Sequence, residues 1–92
     1  MLSGRVAELG ALRHTPAGIP IVEFLVAHAS EQIEAGIPRR VECELPAVML
    51  GEAAKGLAGA DGAAVRLTGF LARRSPRSRQ PVLHVNSFEI IG

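Results

Sequence analysis

Ninety-two residues with ten basic and nine acidic side chains, a net charge of +1 and 48% hydrophobic residues make one domain with an adequate core. A chain this short buries roughly 60–65% of the surface its unfolded form exposes. The single cysteine excludes an intrachain disulfide, and three phenylalanines with no Trp or Tyr leave little aromatic surface. No apolar run approaches the length of a membrane span. The opening Met1-Leu2-Ser3-Gly4-Arg5 has no signal-peptide layout, so a soluble cytoplasmic protein is expected.

Strand signals dominate along the chain. Leu2 to Leu12 reads as a first strand whose apolar phase slips near Glu8, with Gly4 and Gly10 inside the run. A slip of that kind predicts a bulged, bent strand. Thr15-Pro16-Ala17-Gly18 predicts a turn, because Pro fixes φ and Gly permits positive φ. Ile19 to Ala29 is a second strand, apolar enough to be buried on both faces for part of its length. Ser30 to Pro38 reads as a polar connection. Arg39 to Leu45 alternates, with Val41, Cys43 and Leu45 inward and Arg40, Glu42 and Glu44 outward. That parity predicts a buried, inert Cys43.

Pro46 to Leu57 is the one helical candidate, closed by Gly56, Gly59 and Gly62. Ala64 to Ala72 and Pro81 to Ile91 are the fourth and fifth strands. Between them lies Arg73-Arg74-Ser75-Pro76-Arg77-Ser78-Arg79, which holds four of the ten basic residues. No acidic residue falls between Asp61 and Glu89. The stretch carries +4, so the remaining six basic and nine acidic residues sum to −3. A stiffened arginine loop on a mildly acidic body points to a polyanion, and most directly to nucleic acid. The planar guanidinium suits phosphate because it donates two parallel hydrogen bonds.

Three strands, a short helical segment and two more strands predict an all-β five-stranded Greek-key barrel of the oligonucleotide/oligosaccharide-binding type, a single domain over residues 1–92. In that OB fold the face of the second and third strands and the long loops hold the ligand. The arginine loop is one of those loops.

The chain resembles the primosomal replication protein N family, called PriB, end to end. The resemblance rests on Leu2-Ser3-Gly4, on Leu12-Arg13-His14-Thr15-Pro16-Ala17-Gly18-Ile19-Pro20, and on Glu23-Phe24 with His28. It continues through Glu34-Ala35-Gly36, Cys43-Glu44-Leu45-Pro46, Gly69-Phe70 and Val82-Leu83-His84. It implies a homodimeric barrel without catalytic activity. Such a protein binds single-stranded DNA and bridges the restart helicase PriA to the next primosome component. It further implies that Arg73, Arg74, Arg77 and Arg79 contact DNA, together with Arg13 and Arg39, with Arg40 beside the latter. The chain departs from the family at Glu42 and Ile37, where relatives that bind tightly carry aromatic residues.

Other chemistry has little support. His14, His28, His84 and Cys43 lack the short spacing of a zinc site, so no metal or cofactor is expected. Gly56-Leu57-Ala58-Gly59 and Gly59-Ala60-Asp61-Gly62 do not lead from a strand into a Gly-Lys-Ser/Thr helix and are not phosphate loops. The alternative function is a protein-interaction subunit with negligible DNA binding, whose arginine loop docks an acidic partner.

Overall fold

The computed structural model describes residues 2–73 and 75–92. Its strands are β1 (Leu2–Ala7), β2 (Arg13–His14), β3 (Pro20–Glu34), β4 (Ile37–Leu50), β5 (Ala64–Arg73) and β6 (Pro81–Ile90), with one 3-10 helix at Glu52–Gly56. The sheet order is β1-β5-β6-β4-β3-β2, and a further β1–β3 pairing closes it into a barrel. Five strands form the wall, and the two-residue β2 is a flap on β3. This is the OB architecture expected from the element order.

The first strand breaks rather than bends. Glu8 takes φ 47°, a left-handed conformation rare for a side-chain-bearing residue. Pairing with β3 ends at Ala7 and resumes only at Arg13. The Thr15–Gly18 turn forms as expected, with the Gly18 amide donating to the Thr15 carbonyl at 2.8 Å and Gly18 at φ 81°.

Two sequence expectations need correction. Ser30 to Pro38 is not a connection: β3 and β4 pair without interruption from Ile21↔Leu50 to Glu34↔Ile37. The turn is only Ala35-Gly36, with φ 53° and 78°. Two consecutive positive-φ residues match the twist of a tight hairpin. Likewise, Pro46 to Leu50 is strand, and only Glu52 to Gly56 is helical. The apolar side chains read there at helical spacing serve both faces of β4. Ala47 and Met49 enter the core, while Val48 is buried on the outer face between its ladder neighbours Glu23 and His84.

The core is built from the inward phase of each strand: Val6, Val22, Phe24 and Val26 meet Ala47, Met49, Val65, Leu67, Leu83 and Val85. Leu57, after the 3-10 helix, closes the bottom with no exposure. On β3 and β4 the inward phase continues past the barrel wall. Leu45 still packs on the core, but every residue from Glu31 to Glu44 is exposed. Cys43 is therefore exposed, contrary to expectation. Its parity is inward, but there is no interior at that height.

Between β5 and β6 the register shifts at Thr68/Gly69. Thr68 faces Ser87 but Gly69 faces Val85, so Asn86 is the extra residue. A bulge of this kind reverses which face a strand's residues present. It lets Val85 stay in the core and turns His84 outward, opposite Phe70. The strands approach so closely that a Cβ at Gly69 would lie 2.0 Å from the His84 carbonyl oxygen.

Candidate nucleic-acid interface

The outer face of the β2–β3–β4–β6–β5 wall follows from the registers. Arg13 lies opposite Ile21, Ile21 opposite Leu50, and Glu23 opposite Val48. Val48 is beside His84, which faces Phe70. A hollow of about 220 Å³ opens in this face, lined by Ile21, Glu23, Val48, Leu50, Arg73, Val82 and His84. Arg13 and Arg73 flank it from opposite sides. Arg13 reaches across to Glu23 at 3.0 Å, so that carboxylate is already neutralised.

The arginine loop continues from this face. Arg73 is the last residue of β5, and Pro81, its partner in the ladder, opens β6. The Arg73 guanidinium lies 3.5 Å from the Pro76 carbonyl. Inside the loop the Ser78 amide donates to the Ser75 carbonyl at 3.1 Å, and the Gln80 amide to the Ser78 hydroxyl at 3.2 Å. Arg77 and Arg79 are exposed. Among the described residues, Arg73, Arg77 and Arg79 form no ion pair with a carboxylate, and Arg74 lies outside the described residues.

Arg39 and Arg40 sit elsewhere. Arg40 faces Glu31, eight residues along β3 from the Glu23 that faces Val48. At about 3.3 Å per residue that is roughly 26 Å along the hairpin. Both are paired: Arg39 donates to Glu34 at 3.2 Å, and Arg40 to Glu42 at 2.6 Å. The six described arginines among the seven named from the sequence thus fall into a group around the hollow and loop (Arg13, Arg73, Arg77 and Arg79) and a separate pair on the hairpin (Arg39 and Arg40).

The outer face holds two residues that the site reading left out. The Phe70 and His84 rings are parallel within 5°, with centroids 5.1 Å apart. Phe70 is 54% exposed. The outward parity of Phe70 on its strand is readable from sequence, but its partner is set by the bulge. His28, on β3, faces Cys43 and is hydrogen-bonded to the Ser3 carbonyl at 2.7 Å and the Ser30 hydroxyl at 3.2 Å.

A second, larger hollow of about 690 Å³ lies between β1 and the root of the hairpin, lined by Ser3, Gly4, Arg5, His28, Glu42, Cys43, Glu44 and neighbours. Two carboxylates against one guanidinium make it a poor seat for phosphate. Beside it, Leu2 to Gly4 pair with β5 on one edge, while the β1–β3 ladder begins only at Arg5.

Residues 1–87 match a family described as another single-strand binding protein family. The replication restart protein PriB of Nitrosomonas europaea is 42% identical over 92 residues, covering 99% of this chain and 85% of that one. PriB of Bordetella pertussis is 49% identical over 85 residues, covering 91% and 79%. The solved structure of PriB from Ralstonia solanacearum superposes with a TM-score of 0.85 at 33% identity, covering 99% of this chain and 94% of that chain.

Proposed function

Because this chain belongs to the PriB family of replication restart proteins, we propose that it is a non-enzymatic, single-stranded-DNA-binding accessory protein of replication restart, working in the cytoplasm. The observation that carries this reading is the continuity of the arginine loop with an outer face that is apolar, aromatic and flanked by Arg13 and Arg73. Single strands are held by a basic track for the backbone beside rings for the bases. Arg13, Arg73, Arg74, Arg77 and Arg79 form that track. Arg39 and Arg40 extend it along the hairpin once their carboxylate partners are displaced.

In this reading the protein acts as a homodimer and bridges DNA, the PriA helicase and a further primosome component. The edge of Leu2–Gly4, which lacks a β3 ladder partner beside the larger hollow, is where a second copy adds its own first strand across a two-fold axis.

The test is a titration of single- and double-stranded oligonucleotides at several salt concentrations. Four loop arginines on phosphates give a slope of roughly −3 in log affinity against log salt, at about 0.7 per contact. Replacing Arg73, Arg74, Arg77 and Arg79 with Ala flattens that slope with the fold retained. Binding that survives unchanged places the DNA elsewhere. One observation favours the alternative of a protein-docking subunit without DNA affinity: Arg13, Arg39 and Arg40 each hold a glutamate already. Failure of the parent protein to bind any single strand at low salt, with retention of an acidic partner protein, selects it.

A further inference from the structure

We infer that Phe70 and His84 form a base-stacking platform for single-stranded DNA, with Arg73 as its phosphate contact. An exposed phenylalanine alone needs no explanation. Here, however, the ring is held parallel to His84 with centroids 5.1 Å apart, an offset arrangement that aromatic pairs favour. The two residues are directly opposed in the β5–β6 ladder, so both rings stand on strands rather than on a loop. A base settling there orders no segment, and that absence of an ordering cost is what makes a site preorganised.

The surroundings fit a nucleotide. His84 also lines the hollow with Ile21, Val48 and Val82, an apolar floor for a base edge. Arg73, three residues beyond Phe70 on β5, lines the same hollow and opens the arginine loop. Glu23, the one carboxylate in the lining, is held by Arg13 at 3.0 Å and so does not confront a phosphate unpaired. The platform also accounts for the geometry of the bulge. Were the register of Val65–Thr68 to continue unshifted, Gly69 would face Asn86 and Phe70 would face Val85, and no ring pair would form. This inference rests on the reading of the protein as a single-strand binder and names which of its side chains meet the bases.

The experiment compares a thymidine 20-mer with an abasic strand of the same length, for the parent protein, Phe70→Leu and Phe70→Trp. The parent is expected to prefer the thymidine strand. Phe70→Leu keeps apolar bulk and loses the ring. It should bind the thymidine strand about 5- to 150-fold more weakly, match the abasic strand, and keep the salt slope. The Phe70→Trp indole should be quenched by thymidine and not by the abasic strand. Parent-like affinity and base preference in Phe70→Leu, with unquenched Phe70→Trp, overturns the platform and leaves the proposed function standing. A parent that binds both strands equally also overturns it, leaving a backbone-only binder. A parent that binds neither removes both readings together. Displacement of the thymidine strand by polyglutamate that weakens in step with Phe70→Leu would reassign the face to an acidic peptide.

Discussion

Three of the candidate DNA-binding arginines, Arg13, Arg39 and Arg40, bring their own counterion. The Arg40–Glu42 pair, at 2.6 Å, joins residues two apart on one face of β4, and both side chains are about two-thirds exposed. Such exposed pairs contribute only about 0–1 kcal/mol to stability. Their effect on binding is larger in kind. A phosphate arriving at Arg40 must displace the Glu42 carboxylate and leave it unpaired close by, so the contact gains less than one to a free arginine. Glu42→Gln should therefore strengthen single-strand binding about two- to fivefold at low salt, by removing a competitor worth up to about 1 kcal/mol, and leave thermal stability nearly unchanged. Fluorescence titration and a melting curve check both. The position of Glu42 on the outward side of its strand was legible from alternation. Its partner was one of the two neighbours that alternation offered.

Gly69 is the opposite case, a residue whose role the sequence conceals. Gly occurs in many strands for many reasons, and only the 2.0 Å approach of a would-be Cβ to the His84 carbonyl shows why none is tolerated here. The clash is with backbone, which cannot swing aside. Gly69→Ala should destabilise the protein by about 1–3 kcal/mol, the usual range for overpacking, seen as a lower urea midpoint. It should also disturb the Phe70–His84 pair.

At the level of elements, the strands inside the barrel were legible because one face is buried and the other is not. The β5 segment shows it: Val65 and Leu67 are buried while Arg66 and Thr68 are exposed. The failures have physical causes. Val48 and Met49 are both buried, Met49 in the core and Val48 on the outer face between Glu23 and His84, and two-sided burial imitates helical spacing. Ser30 to Pro38 carries polar residues on both faces, so nothing in its pattern distinguishes a projecting strand from a loop. Its turn was the one usable signal. Ala35 adopts φ 53° without the help of a residue suited to it, at a cost of roughly 1–2 kcal/mol. Ala35→Asn restores the Asn-Gly pair that such turns prefer. It should tighten the hairpin, and tryptic cleavage after Arg39 and Arg40 should slow severalfold while the loop arginines are cut at the parental rate.

For the molecule as a whole, the order of elements was enough to indicate an OB barrel, because few topologies close five strands with one short helical segment before the last two. Shape was not legible. A 92-residue domain should have a radius of gyration of about 12 Å, yet the value is 14.3 Å, with a longest axis of 50 Å. Fifteen residues of β3 at about 3.3 Å each span that axis unaided. The excess is the hairpin, which projects beyond Ala29 on β3 and Leu45 on β4 and, among the described residues, pairs only with itself from Ser30 to Val41.

That projecting hairpin divides the molecule into two parts of unequal permanence. A lone two-stranded ribbon is marginal in water, and this one has no buried side chain between Glu31 and Glu44. Its amides are protected only by each other, whereas those of Val22, Val26, Val65 and Leu67 lie under the closed core. Hydrogen–deuterium exchange should therefore separate into two tiers. Amides of residues 31–42 should exchange within minutes through local opening that is indifferent to low denaturant. Barrel amides should exchange only with global unfolding, at a free energy that falls linearly with urea. A single tier, with the hairpin as slow as the barrel, would mean that something in solution packs against it.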